Sequence, residues 1–197
     1  MGSLSVILFF TLVASGFALF TQHAAIWKWS DCADPNTRVL HMTGFDVSPK
    51  PVHVPGNLSV TIVGDLSHRL QANSHYRLNV TMDKKLLSNW HAVPCAHKVG
   101  TCVYDDPCEF LQTFSSNHTC PQAFIDNGLS CTCPFDPVSL NVKNAAVEVK
   151  TIPKAWSFLA NGDFRARVEV LDGSKMIGCL QTELSITIPC HGFLCGR

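Results

Sequence analysis

The stretch NLSVTIV, residues 57–63, alternates without a break: Leu58, Val60 and Ile62 fall on one face, Asn57, Ser59 and Thr61 on the other. A period of two marks a half-buried strand. RLNVTMD (77–83) repeats it, setting Leu78, Val80 and Met82 against Arg77, Asn79, Thr81 and Asp83. Three later runs do the same. AVEVK (146–150) opposes Val147 and Val149 to Glu148 and Lys150. FRARVEV (164–170) opposes Phe164, Ala166, Val168 and Val170 to Arg165, Arg167 and Glu169. LQTELSITI (180–188) opposes Leu180, Leu184, Ile186 and Ile188 to Gln181, Glu183, Ser185 and Thr187. Pro55-Gly56, Asn161-Gly162 and Asp172-Gly173 are turn signals between the runs, and LDGSK (171–175) reads as a hairpin. No long helical period appears; the best helix candidate is one or two turns in DPCEFLQTF (106–114). The fold class that follows is all-β, one antiparallel two-sheet sandwich with a cysteine-dense middle at 95–133.

Of the 197 residues, 15 are basic and 15 acidic, so the formal net charge is zero. Nucleic-acid binding usually shows a basic surplus or stripe, and neither is present. The first residues read as a targeting segment. LSVILFFTLVASGFALF (4–20) carries no charge, and Gly16 and Ala18 permit cleavage after Ala18, making 1–18 a signal peptide. A membrane anchor of nearly spanning length is the competing reading. Three N-x-[ST] sequons, at Asn57, Asn79 and Asn117, favour secretory passage and name the expected glycosylation sites. With ten cysteines they point to an oxidising compartment.

The cysteines of the middle region lack zinc and redox spacing. Cys95, Cys102, Cys108, Cys120, Cys131 and Cys133 include no C-x₂₋₄-C pair, so neither a zinc site nor a C-x-x-C redox pair is expected. An even count in an oxidising compartment predicts structural disulfides. Cys95 and Cys102 can close a short loop; Cys32 and Cys179 stand near the two ends of the β region and can pair. On the chain-entropy model these would stabilise by about 2.5 and about 5 kcal/mol respectively. Cys190 and Cys195, in the tail 189–197, can close a local loop.

Six motifs occur in order: WSDC (29–32), VPGNLSVTI (54–62), NWHAVPC (89–95), GTCVYDDPCEFL (100–111), GLSCTCPF (128–135) and GSKMIGC (173–179). Together they resemble the GM2 ganglioside activator proteins of the MD-2-related lipid-recognition family, over residues 29–188. The resemblance implies an immunoglobulin-like β-cup whose two sheets enclose an apolar lipid cavity. It implies the pairs Cys32–Cys179, Cys95–Cys102, Cys108–Cys133 and Cys120–Cys131, and a glycan on Asn57. It also implies a non-enzymatic role: lifting a glycosphingolipid or phospholipid from a membrane and presenting it to a lysosomal β-hexosaminidase. The alternative is a secreted lipid-binding module for transport, sensing or defence. Cys190, Cys195, Asn79 and Asn117 depart from the family pattern.

The expected cavity wall is Leu58, Val60, Ile62, Leu78, Val80, Met82, Val147, Val149, Phe164, Val168 and Val170. From alternation alone a filled core is the simpler reading of these faces; the resemblance selects the cavity. Trp90, Trp156, Phe158 and Leu159 are the expected rim, since aromatics in apolar segments beside turns partition to bilayer interfaces. Phe110, Leu111, Phe114, Phe124 and Ile125 are secondary rim candidates. Nine histidines would add positive charge in an acidic compartment and draw the chain to anionic lipid. There is no G-x-S-x-G, H-E-x-x-H or phosphate loop, so no catalytic residue, metal or cofactor is expected, only bound lipid. The expected location is secreted or lysosomal.

Overall fold

The computed structural model describes residues 24–71, 75–96, 98–107, 122–127, 133–149 and 161–188. The strands are β1 (Trp27–Asp31), β2 (Leu40–Ser48), β3 (Val52–His53), β4 (Gly56–Leu66), β5 (Tyr76–Leu86), β6 (Asn89–Ala92), β7 (Cys102–Tyr104), β8 (Val138–Val149), β9 (Gly162–Asp172) and β10 (Lys175–Thr187). One turn of α-helix, Gln122–Ile125, joins them. The first helix candidate, 106–114, lies almost wholly outside the described residues.

The strands form two sheets. The larger has the order β1-β10-β9-β5-β6, with β3 beside the end of β10 and β7 beside β5. The smaller has the order β2-β4-β8. All pairings are antiparallel except β3 with β10. The predicted hairpin at Asp172-Gly173 joins β9 to β10, and a second tight hairpin joins β5 to β6.

Register decides which residues share a face. In the small sheet Phe45 opposes Ile62 and Val47 opposes Val60, while Leu58 opposes Val147. In the large sheet Val80 lies beside Val168, which lies beside Leu180; Leu78 and Val170 form the next row. The alternating runs therefore meet as continuous apolar rows. Both neighbours of β4 carry a bulge: β2 between Met42 and Gly44, β8 opposite the Val60–Ile62 step. A bulge adds a residue, bends the strand and increases its twist. In β8 it also resets parity, so that Val138, Leu140 and Val142 before it share a face with Ala145, Val147 and Val149 after it. The burial pattern follows this reset: Leu140, Val142 and Ala145 are buried. Gly64 sits at the β2 bulge, where a Cβ would lie 2.3 Å from the His41 carbonyl oxygen; only glycine allows the strands so close.

The sheets are joined along one seam. β1 and β10 lie against β2, and β3 against β4. At one end of the seam Cys32 is bonded to Cys179, with Cα atoms 4.9 Å apart, and the Val39 N–H donates to the Ile177 carbonyl at 2.7 Å. A Cβ on Gly178 would stand 2.9 Å from Leu40 Cβ, so glycine is required where β10 meets β2. Asp31 pins the same corner. Its carboxylate accepts from the backbone N–H groups of Ala33 and Met42, at 2.9 and 3.0 Å, and pairs with Arg38 at 3.2 Å. It thus ties β1 of one sheet to β2 of the other. Asp31→Ala strands two N–H donors and a partly buried guanidinium, and we expect a loss of about 2 kcal/mol in urea denaturation. A loss below about 0.5 kcal/mol, the range of an ordinary surface substitution, would remove Asp31 from the seam's support.

Candidate functional site

Between the sheets the two walls differ along their length. Near the seam they touch. Val47, Val52 and Val54 are buried there, with Trp27, Phe45, Leu58, Val60, Val149, Leu184 and Ile186 packed around them. Trp27 of the large sheet and Phe45 of the small sheet have ring centroids 5.6 Å apart. Away from the seam a second cluster is built, among the described residues, by the large sheet alone. Leu78, Val80, Cys102 and Tyr104 are buried, with Val168 and Val170 against them; all six lie on β5, β7 and β9. No described residue of the small sheet joins that cluster.

The eleven residues expected to line a cavity all fall on the inward rows, and their exposure is graded. Leu78, Val80 and Phe164 are buried, while Leu58, Val60, Ile62, Met82, Val147, Val149, Val168 and Val170 are only half-buried. In a filled sandwich, facing side chains interdigitate to close packing. Among the described residues only Val142 is a large side chain with under 2% exposure. The inward rows also include residues the sequence reading passed over: Met42 and Phe45 on β2, Leu140, Val142 and Ala145 on β8. The bulges interrupt the alternation between Met42 and Phe45 and between Val142 and Ala145, whereas Leu140 and Val142 stand in VSLNVK (138–143), a run of period two that was legible in the sequence.

Two polar side chains are buried on the large sheet's inward rows. Thr182 donates from its hydroxyl to the Lys28 carbonyl at 3.0 Å. Lys84, 7% exposed, follows Leu78, Val80 and Met82 in the same row. Its Nζ lies 5.5 Å from the centre of the Phe164 ring, and burial lowers its pKa. Tyr104 faces the same side; its hydroxyl donates to the Lys98 carbonyl at 2.6 Å, burial raises its pKa, and it braces the loop closed by Cys95–Cys102.

The outward face of the large sheet is polar and cross-linked. Arg165 bonds Asp83 at 2.7 Å and Arg167 bonds Glu169 at 2.7 Å. Trp90, expected at the rim, lies on this outward face of edge strand β6. Its ring is met by the Arg165 guanidinium at 4.9 Å and the Lys85 ammonium at 5.9 Å. Beside it the β5–β6 turn carries Leu86, 49% exposed, and Leu87, fully exposed with φ of 57°. Leucine is uncommon at positive φ, and no described residue covers this one. Phe124 is half-buried and Ile125 exposed in the helical turn. Trp156, Phe158, Leu159, Phe110, Leu111 and Phe114 lie outside the described residues.

Of the expected disulfides, Cys32–Cys179 and Cys95–Cys102 are formed. Cys133 is disulfide-bonded; Cys108, Cys120, Cys131, Cys190 and Cys195 lie outside the described residues, as does Asn117. Asn57 is exposed on the outward face of β4. Asn79 is half-buried on the outward face of β5 and donates to Glu169 at 3.4 Å. Among the described residues no cluster of His, Cys, Asp and Glu is arranged to hold a metal ion, and no helix is long and apolar enough to cross a membrane.

Comparison with known proteins follows this geometry. The model of the ML domain family matches residues 26–186. The chain is similar to a ganglioside GM2 activator of Mus musculus, 26% identical over 163 residues and covering 81% of each chain. It is similar to that of Macaca fascicularis, 24% identical over 161 residues, covering 81% of this chain and 83% of the relative. A Niemann-Pick type C2 protein from Japanese carpenter ant is a structural neighbour with a TM-score of 0.41 and 11% identity, covering 81% of this chain and 99% of that one.

Proposed function

The chain belongs to the ML domain family, and from that membership we propose that it is a non-enzymatic lipid-binding protein that takes a glycosphingolipid from a membrane. The observation that carries this reading is the set of half-buried apolar rows on the inward faces of both sheets, beside a large-sheet cluster that no described residue of the small sheet joins. Acyl chains leave a bilayer only where comparable apolar contact replaces what they lose, at roughly 0.8 kcal/mol per buried methylene. Inward apolar rows that stay half-buried offer that contact. The two relatives bear the name ganglioside GM2 activator. Their name supports the finer reading, in which the bound glycolipid is presented to a lysosomal β-hexosaminidase and the protein works in the secretory and lysosomal space. The signal peptide 1–18 and the sequons belong to the same reading.

Membrane contact falls to the β5–β6 hairpin. A fully exposed Leu87 beside Leu86, with Trp90 and Lys85 behind, is an apolar tip on a basic stem. Interfacial binding scales with buried apolar area and attraction to anionic lipid. Leu87→Asp is expected to weaken binding to anionic vesicles about tenfold while leaving thermal stability unchanged. Equal co-sedimentation of variant and parent would move the contact elsewhere.

The experiment that tests the function is native mass spectrometry of the secreted protein after incubation with glycolipid-containing vesicles, followed by a hexosaminidase assay on the same vesicles. Bound lipid with faster hydrolysis supports both parts. Bound and transferred lipid with no acceleration retains lipid carriage and replaces presentation by transport, sensing or defence. Absence of bound lipid overturns the proposal.

A further inference from the structure

Asn79 stands in β5 on the outward face of the large sheet, and Thr81 follows it in the same row. Residues two apart in a strand share a face. The acceptor pattern Asn79-Val80-Thr81 therefore turns its two polar side chains outward and buries only Val80. On one side the direct neighbour of Asn79 is Glu169 of β9. Arg167 donates to one oxygen of that carboxylate at 2.7 Å, and Asn79 Nδ2 donates to the other at 3.4 Å. On the other side the direct neighbour is Val103 of β7. Val103 is 61% exposed, between the buried Cys102 and Tyr104, and among the described residues no strand lies beyond β7. A single exposed valine is ordinary in itself. Its register opposite a glycosylation acceptor is the specific feature: directly opposed Cβ atoms lie about 5 Å apart, within reach of a first sugar.

We infer that Asn79 carries an N-linked glycan whose first sugar lies over Val103 at the β5–β7 edge. The inference rests on the secretory reading of residues 1–18 and is independent of lipid binding. The transfer takes place on the chain before it folds, and its donor is a polyprenyl-diphosphate oligosaccharide of the secretory pathway. The amide nitrogen of Asn79 forms a bond to the anomeric carbon and gives up one proton. The bond from that carbon to the diphosphate oxygen breaks, and the diphosphate leaves with the electron pair. The nitrogen keeps one N–H. In the folded chain that N–H stays on Glu169, which Arg167 holds in place. An amide is planar, so an N–H fixed towards β9 turns the glycosidic bond away from β9 and towards β7. There the sugar's C–H face and acetyl methyl cover Val103 and remove apolar surface from water. Leu78 and Val80 point to the opposite face of β5, so the glycan leaves the inward rows clear.

The test uses the full chain expressed in a glycosylating eukaryotic cell. Enzymatic deglycosylation converts each modified Asn to Asp, and peptide mass spectrometry then reads Asn57 and Asn79 separately. Asn79 is expected to be modified in most copies. Thr81→Val removes the acceptor pattern, keeps Asn79 and suits an exposed strand position. Val103→Ser, also at an exposed position, is then made in both backgrounds. It is expected to lower the melting temperature by about 3 °C in the glycosylated chain and by about 1 °C or less in the Thr81→Val chain. Trimming the glycan to its first sugar should preserve the larger effect. Asn57 modified with Asn79 bare overturns the site while the secretory reading stands. A chain with neither modified overturns both. Asn79 modified, with equal Val103→Ser effects in the two backgrounds, overturns the placement of the sugar on Val103.

Discussion

Replacing Cys32 and Cys179 together by alanine is expected to lower the unfolding free energy by about 3–5 kcal/mol, the largest stability effect of any paired substitution in the described chain. The bond joins residues 147 apart in sequence, and on the chain-entropy model a longer loop restricts the unfolded state more. The native-state argument points the same way. The bond closes the corner where Val39 meets Ile177, Leu40 meets Gly178 and Asp31 reaches Met42. Cys95–Cys102 spans 7 residues and ties one surface loop; its removal should cost about 2 kcal/mol. Guanidinium denaturation of the two double variants gives the comparison. An equal or reversed order would show that the seam is held by its packing and hydrogen bonds rather than by its staple.

Val168→Trp separates a filled core from an open cup. Val168 is half-buried on β9, in the cluster that contains no described residue of the small sheet. In a close-packed interior the added ring would force neighbours off their rotamers at a cost of about 1–3 kcal/mol. In an open cup the ring finds room, so thermal stability should hold or rise. It then occupies space that a lipid tail needs. Displacing about four methylenes at roughly 0.8 kcal/mol each corresponds to about a 200-fold loss of lipid affinity. Vesicle-transfer rates and melting curves on one preparation read both effects. A destabilised variant that still carries lipid would contradict the reading of the interior. The same substitution at Val47, which is buried at the seam with residues of both sheets around it, is expected to destabilise.

Much of this was legible along the chain. Leu58, Val60 and Ile62, and likewise Leu78, Val80 and Met82, face inward as their alternation requires, because side chains on an extended backbone must alternate. The hairpin at Asp172-Gly173 and the pairs Cys32–Cys179 and Cys95–Cys102 are present. Other parts were hidden. The run VSLNVKNAAVEV (138–149) is one strand, yet it reads as two alternating halves out of phase, since the bulge at Lys143 and Asn144 shifts the phase. Trp90 illustrates a second blind spot. Its apolar context suggested the rim, and register places it on the outward face among cations, because an edge strand takes its facing from the strand it pairs with.

The sequence by itself determined that the chain is built of half-buried strands, where they turn, and that the cysteines among the described residues are structural. Each of these depends on neighbours a few residues apart. Only the tertiary structure decided which strands pair, where the two sheets touch, and which apolar rows are left half-exposed. β1 pairs with β10 across more than half the chain, and no local pattern records such a partner. Alternation states that a face avoids water. Whether that face meets another sheet or is left for a ligand depends on how far the two sheets part from their common seam, which is a property of the assembled fold.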